Sequence, residues 1–341
     1  MLFTHVFFLN YSFYNCSLKS ITLGPRVEII ETCAFQDSKL EFADLSNTKL
    51  KKFQGIYHFC YTKLLSIRLP DCLEQLPHFF ISYTNITEFT FPKNLKYIDD
   101  GALSCIPKLN ILKSNCPDIV IYRGIAYSRD FKTLIKCPVY MNEPLAPTVI
   151  SVSPCGAMSC CKFVSFALEV EIQKFGSRMF RACPFLESVD LSKSIASELP
   201  YETFYECKKL INLTLPDTLI SFDYWIFGEG KITNLKIPSS VRYLVSNSLE
   251  FSDIGSIEYC GLYLLNVEAP SNTILKTNIN YSYPDFMKRT DFKRVLSTCP
   301  PERTPLPIAT LIPKIYPSCM HREYSLLASL PLYMISVIII S

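Results

Sequence analysis

The feature that most restricts what this chain can become is a short phrase that returns at a fixed interval. Leu210-Ile-Asn-Leu213-Thr-Leu215-Pro216 is followed by Ile232-Thr-Asn-Leu235-Lys-Ile237-Pro238 and by Ile254-Gly-Ser-Ile257-Glu-Tyr259, with starts 22 residues apart. Further copies begin at Leu18, Leu40, Leu64, Ile86, Leu109, Phe163 and Leu186. Along the chain the successive starts lie 22, 24, 22, 23, 54, 23, 24, 22 and 22 residues apart. A fixed period of this length is the mark of a solenoid, in which each unit is too small to bury its own apolar side and does so against its neighbours.

Each phrase places apolar residues at its first, fourth and sixth positions. The last two alternate with a polar residue, which is the period of a half-buried strand. Proline follows the phrase at Pro70, Pro92, Pro216 and Pro238, where its missing N–H suits the end of a strand. A second phrase comes next, an apolar pair three apart, as in Leu73-Glu-Gln-Leu76, Leu95-Lys-Tyr-Ile98, Leu219-Ile-Ser-Phe222 and Val241-Arg-Tyr-Leu244. A large apolar residue follows: Phe13, Phe35, Phe59, Phe80, Leu103, Met158, Phe180, Phe204 and Phe227, with a cysteine three residues later at Cys16, Cys161, Cys183 and Cys207. The spacing predicts a coil of strand, corner, short extended or 3₁₀ segment, corner and return, about ten times over. Its cysteines form a column of small buried hydrophobes rather than bridges.

The interval of 54 residues holds one repeat plus an insert. Its middle, Ile119 to Pro138, reads as a hairpin-like island, two β-rich runs around a polar turn. The island is placed at about 115–145 and the whole solenoid at 1–265. Beyond that the repeat fades, and prolines 284, 300, 301, 305, 307, 313 and 317 predict a stiff stalk over 266–322. The last segment, 323–341, is apolar, and three readings of it stand: a membrane anchor through 324–340, a lipid-anchor signal near Ser318 and Cys319, and a cap on the solenoid. Pro331 within it is better tolerated in a membrane helix. At the other end, Val6-Phe-Phe-Leu9 is apolar but has no basic flank, so a signal peptide and an array that begins at once both remain open.

Composition removes several function classes. Net charge is only +3, and no Lys/Arg run of the kind that tracks phosphates occurs, so nucleic acid is not an expected partner. The 15 cysteines contain no C-x-x-C, and the four histidines (His5, His58, His78, His321) share no metal-ligand spacing with them. There is no G-x-S-x-G, H-E-x-x-H or Gly-rich phosphate loop; Gly228-Glu-Gly230 is a lone pair in a corner. Cys319 and His321 lack a third, orienting group. The chain is therefore expected to be no enzyme and to hold no cofactor and no metal.

What remains is a surface. The residue between positions four and six of each phrase points away from the core. Down the stack that column is Thr22, Asp44, Arg68, Thr90, Ala167, Asp190, Thr214, Lys236 and Glu258, polar and of mixed sign. It is the candidate protein-binding site, against the alternative of an ordinary solvated sheet face. Sequons occur at Asn10, Asn15, Asn85, Asn212 and Asn280, with Asn85 and Asn212 the preferred glycosylation candidates if the chain is secreted.

The phrases LINLTLPDTLISFDYWIF and ITNLKIPSSVRYLVSNSL, with the island IYRGIAYSRDFKTLIKCP, resemble the BspA-like leucine-rich repeats from about Phe13 to Tyr259. The resemblance implies a mainly β or α/β-type solenoid, a right-handed leucine-rich-repeat coil with parallel strands on the concave face. It also implies a surface adhesin or antigen that binds host or neighbouring-cell proteins, located at the cell surface or membrane. Some arrays of this kind are intracellular, so a cytoplasmic scaffold for protein–protein interaction is the alternative. The Ile-Gly corner common in the family is mostly missing here, and no catalytic motif carries over.

Overall fold

The computed structural model describes residues 6–141 and 143–299. The candidate anchor 324–340, His5, His321 and the stalk beyond residue 299 lie outside the described residues. The chain is a parallel-strand β-solenoid of about 13 turns. No helix, α or 3₁₀, occurs among the described residues, so of the two fold readings the mainly β one holds.

Each repeated phrase contributes one strand to the first side of the coil, and these strands pair in register in four successive runs. Ser20–Thr22, Phe42–Asp44 and Ser66–Arg68 pair in parallel, with Ile21 against Ala43 and Ala43 against Ile67. Glu88–Phe91 pairs with Ile111–Ser114. Ser165–Ala167, Ser188–Asp190 and Asn212–Thr214 stack next, with Val189 against Leu213. Lys231–Ile237, Asp253–Tyr259, Ile274–Asn278 and Lys293–Leu296 close the array. The second phrase gives a narrower sheet of two-residue strands, such as Glu198–Leu199, Ser221–Phe222 and Tyr243–Leu244. A slip of one residue would turn every Leu outward, so the apolar pattern fixes the register.

The third side of each turn carries no strand. Two residues four apart take the left-handed conformation there, as in Tyr57 and Tyr61, Phe79 and Tyr83, Arg178 and Ala182, Glu202 and Glu206. That geometry folds the large apolar residue between them inward. Phe13, Phe35 and Phe59 stack with centroids 5.4 and 5.1 Å apart, and Phe180, Phe204 and Phe227 with 5.4 and 5.7 Å. These spacings are close to the ~4.8 Å between strands, so one ring per turn fills the axis without a gap. Burying such a ring contributes about 1.5–3 kcal/mol, and each contact a further 0.5–1.5.

Ten of the twelve described thiols are buried. They do more than fill space. Cys161 Sγ donates to Pro138 O, Cys183 Sγ to Met158 O and Cys207 Sγ to Phe180 O, at 3.6, 3.3 and 3.0 Å, each tying a turn to the one before. Burial pushes Cys161 up to about 12 and raises Cys60, Cys137 and Cys183 as well, so these thiols stay protonated and unreactive.

The island differs from a simple hairpin. Ile119–Tyr122 and Ile125–Ser128 pair antiparallel around Arg123-Gly124, both in the left-handed region that a two-residue hairpin turn demands. A third strand, Thr133–Lys136, then pairs with Ile125–Ser128 and, in parallel, with Ser151–Val152 of the second sheet. The island acts as a partition. Ala126 and Ile135 join the apolar cluster of the N-terminal turns, whereas Ile125, Tyr127 and Leu134 join that of the C-terminal turns. Alternation along two strands thus feeds both cores.

Two boundaries shift. Val139 already occupies the start of a turn: its N–H donates to Leu109 O and its carbonyl accepts from Lys162 N–H, both at 2.8 Å. The island therefore ends before 139, not near 145. The solenoid also does not stop at 265. Ile274–Asn278 and Lys293–Leu296 extend the first sheet, and Leu275, Tyr281 and Phe286 are buried behind it. Up to Leu296, the stretch placed in the stalk is array, because Leu275 keeps the core position although the rest of the phrase has decayed.

The first sharp expectation concerns His58. Its ring is fully buried against Phe53, and Nε2 donates to Gln54 O at 2.8 Å. Burial lowers its pKa from 6.5 to about 4. The unfolded chain takes up a proton at a pH where the folded chain does not, so His58 withdraws stability as pH falls from about 6.5 to about 4. The shift corresponds to about 3 kcal/mol. Urea titrations near pH 7.5 and 4.5 are expected to show that wild type loses about that much more than His58→Phe, which cannot titrate.

Candidate functional site

The outward column forms as the pattern demands, in four registered runs. Thr22, Asp44 and Arg68 lie side by side, as do Thr90 and Lys113; Ala167, Asp190 and Thr214 follow, then Lys236, Glu258, Lys276 and Lys293. Asp44, Thr90, Glu258 and Lys276 are half-buried and the others exposed. Sequence reasoning missed Lys113, Lys276 and Lys293. Lys113 follows the damaged phrase Leu109-Asn-Ile-Leu112, and the other two lie where the phrase fades, so only the column position would have revealed them.

The column is laced by its own ion pairs. Arg68 meets Asp44 at 3.5 Å, Lys113 meets Glu88 at 2.8 Å, and Lys276 meets Glu258 at 3.0 Å. Hydrogen bonds from the hydroxyl and N–H of Ser46 hold the Asp44 carboxyl below its usual range. The C-terminal run has three lysines and one glutamate, a net of +2, whereas the column residues of the three runs before it carry 0, +1 and −1. The more exposed pairs, Arg68–Asp44 and Lys113–Glu88, contribute at most about 1 kcal/mol to stability, so their charges are available to a partner, whereas Lys276–Glu258 is half-buried.

Of the sequons, Asn212 is exposed and opens a strand of the first sheet, on the same side as the column. Asn85 is half-buried, with its N–H donated to Leu64 O at 2.9 Å. Asn10, Asn15 and Asn280 are exposed, and Cys16 beside Asn15 is half-buried rather than buried.

On the third side lies a buried ionic cluster that no periodicity signals. Arg178 is 1% exposed. Its guanidinium donates to Glu202 from Nε at 2.9 Å and to Asp100 from Nη1. Its flat faces lie against Phe79 and Tyr201, 4.4 and 4.5 Å from the ring centroids. Phe79 belongs to a turn well before the island. The intervening positions of the same column are Gly101 and Gly156, both at positive φ, and a Cβ on Gly101 would sit 3.4 Å from Arg178 Nη1. Gly101 thus leaves room beside the Arg178 guanidinium, while a Cβ on Gly156 would instead meet Ser104. Arg181 adds bonds to Glu202, to Tyr83 Oη at 2.8 Å and to Glu206 at 3.2 Å. Asp100 and Tyr83 precede the island; the arginines and glutamates follow it. The cluster is a clamp across the partition.

His78, next to Phe79, is likewise lowered to about 4 by burial and by the Arg178 charge. Among the described residues no group of three or more His, Cys, Asp or Glu is placed to hold a metal ion. No helix among them is long and apolar enough to cross a membrane.

Comparison with known proteins agrees with this geometry. The BspA type leucine rich repeat region is matched in 6 copies, over residues 8–121 and 153–280. No curated protein matches the sequence. Among solved structures, the pneumococcal vaccine antigen PcpA is similar at TM-score 0.65 and 18% identity, covering 86% of this chain and 77% of that one. A leucine rich cell surface protein from Faecalibacterium prausnitzii is similar at TM-score 0.53 and 18% identity, covering 72% and 75%. At such identities the likeness is one of fold. The two matched spans cover the strands on either side of the island, the first reaching into its opening strand Ile119–Tyr122 and the second stopping before Lys293–Leu296. The chain belongs to the BspA-type leucine-rich repeat family.

Proposed function

We propose that this is a non-enzymatic recognition protein of the cell surface, an adhesin or antigen that binds host or neighbouring-cell proteins through the first sheet. The supporting observation is the run Lys236, Glu258, Lys276 and Lys293 of the outward column, whose side chains are held in register by parallel pairing rather than by loops. A rigid row of polar groups at fixed spacing offers a protein partner a template with little ordering cost. The surface-protein neighbours support the location, as does a disulfide between Cys260 and Cys299, a bond at home in oxidising compartments. Membrane association through 324–340 is part of the proposal. The twelve described thiols favour the second reading, a cytoplasmic scaffold; N-glycan at Asn212 or Asn85 would exclude it.

The basic end of the column gives the test. Lys236→Glu with Lys293→Glu reverses two exposed charges of the column. Binding of the purified protein to intact partner cells is expected to weaken about tenfold or more, mainly through a slower on-rate. The melting profile should stay within about 1 kcal/mol of wild type. Unchanged binding at unchanged stability would remove the column from the interface.

A further inference from the structure

Two of the buried thiols stand apart from those that tie each turn to the one before. Cys105 and Cys160 hold the second left-handed position of neighbouring turns, at φ 52° and 60°. The same position carries Tyr61 and Tyr83, whose rings stack 4.5 Å apart, so side chains there project side by side. The two turns meet at this point, where the Cys105 N–H donates to Ser159 Oγ at 3.0 Å. With Val139 the two cysteines form a small apolar cluster separate from both main cores, and Tyr83 and Ala182 pack against it. Their thiols share a hydrogen bond. Turns stacked about 4.8 Å apart place such a pair within the span of about 4.4–6.8 Å that a disulfide bridges.

The surroundings are electropositive. Lys136 is 1% exposed, and its ammonium donates to Gly156 O at 2.6 Å and to Ser159 Oγ at 3.1 Å; among the described residues no carboxylate pairs with it. A buried cation without a counter-ion is costly, and a thiolate supplies one. Arg181 acts on Cys105 as well, and its Nε finds no acceptor among the described residues. Burial alone would raise the Cys105 thiol, but the Cys160 hydrogen bond, the Arg181 charge and the Ser104 hydroxyl, 3.5 Å away, hold it well below its usual value. Cys160 is pushed the opposite way, first by the bond it donates to Cys105 and then by burial. One thiol is poised as a nucleophile while its neighbour keeps its proton. Cys160 is 8% exposed and Cys105 1%, so only an oxidant little larger than water reaches the pair.

We propose that Cys105 and Cys160 are a peroxide-oxidised thiol pair that closes into a disulfide across the island. The Cys105 thiolate attacks one peroxide oxygen, the O–O bond breaks, and the hydroxide released takes a proton from solvent to become water. Cys160 Sγ then attacks the sulfenic sulfur of Cys105; the S–O bond breaks, and the leaving hydroxide carries off the Cys160 proton as a second water. Two thiols and one peroxide thus give one disulfide and two waters. Loss of the Cys105 charge in the first step removes the first cause that kept Cys160 protonated. The product staples the turns before the island to those after it, covalently where the reduced chain relies on contacts such as Arg178–Asp100. The pair is separate from the outward column, so either reading can fail alone.

The full chain, reduced with dithiothreitol and desalted, is treated with a small excess of hydrogen peroxide, alkylated in denaturant and mapped by mass spectrometry. Peptides joined through Cys105 and Cys160 are expected at least about tenfold above any other new linkage, Cys260–Cys299 excepted. Exchange of the Cys105 and Cys160 amides, both bonded across turns, should slow about tenfold in the oxidised chain. In Cys160→Ala the sulfenic acid should persist, so that denaturation in dimedone traps it at Cys105; in Cys105→Ala, Cys160 should gain none. Recovery of Cys105 and Cys160 as separate alkylated peptides from a chain that stays folded would overturn the proposal. So would their linkage only in urea, or sulfenic acid at Cys160 in place of Cys105. Should either variant fail to fold, the wild-type map alone decides.

Discussion

Glu202→Ala is expected to cost about 3–5 kcal/mol, the largest loss from any single polar substitution in the array. One carboxylate oxygen, Oε2, accepts from Arg178 Nε and from Arg181 Nη1, and the side chain is 4% exposed. Its removal leaves two guanidinium groups buried among Phe79, Tyr201 and Tyr205 without their shared counter-charge. The contrast is Glu88→Ala on the sheet face. There the partner Lys113 is 58% and Glu88 42% exposed, and the loss should stay below about 1 kcal/mol. The clamp joins turns on both sides of the island, so the damage should be directional. Unfolding of the variant, followed by urea titration and limited proteolysis, is expected to split into two steps divided near the island. Arg178→Met combined with Arg181→Leu, Glu202→Met, Asp100→Asn and Glu206→Gln should recover much of the loss, since it removes every charge of the cluster together. A single cooperative transition with less than about 1 kcal/mol lost would show that the clamp is dispensable.

The second large effect is expected at the C-terminal end. Cys260 and Cys299 are bridged across 39 residues, enclosing the strands Ile274–Asn278 and Lys293–Leu296. Closing a loop of that length removes about 4 kcal/mol of chain entropy from the opened state. These are also the turns where the sequence pattern is weakest, and Lys293–Leu296 lies at the edge of its sheet. Reduction, or Cys260→Ala with Cys299→Ala, is expected to speed exchange of the amides in both strands by about a hundredfold or more, without affecting Asn212–Thr214. Unchanged protection would mean that strand pairing alone secures the end of the array.

Those two features explain what was legible in the sequence and what was not. A period of 22–24 residues is written into local apolar spacing, so the strands, their register and the Phe13-to-Phe227 column could be read directly. The island's location was readable too, but not its third strand, Thr133–Lys136, because a partition that feeds two cores looks like any apolar run. Residues 139–161 disguised a turn, since Pro144 stands where the phrase has its apolar sixth position. The turns after 265 were lost for the opposite reason: the ladder holds with only Leu275 and a few aromatic residues in place. Arg178 and Asp100 lie 78 residues apart and meet across the island. No local pattern encodes such a contact. Likewise the partner of Cys260 could not be chosen among 15 cysteines before the chain was folded.

The sheet-face column was predicted residue by residue and stands in register, with Lys113, Lys276 and Lys293 added. Its role as a recognition surface depends on where the protein resides. The most direct measurement is labelling of intact producing cells with a membrane-impermeant amine reagent, followed by isolation of the full-length chain. Exposed lysines of the column, Lys113, Lys236 and Lys293, are accessible targets. Labelling of these lysines without lysis is the result a surface recognition protein requires. Labelling only after lysis, with cell integrity verified, would contradict it.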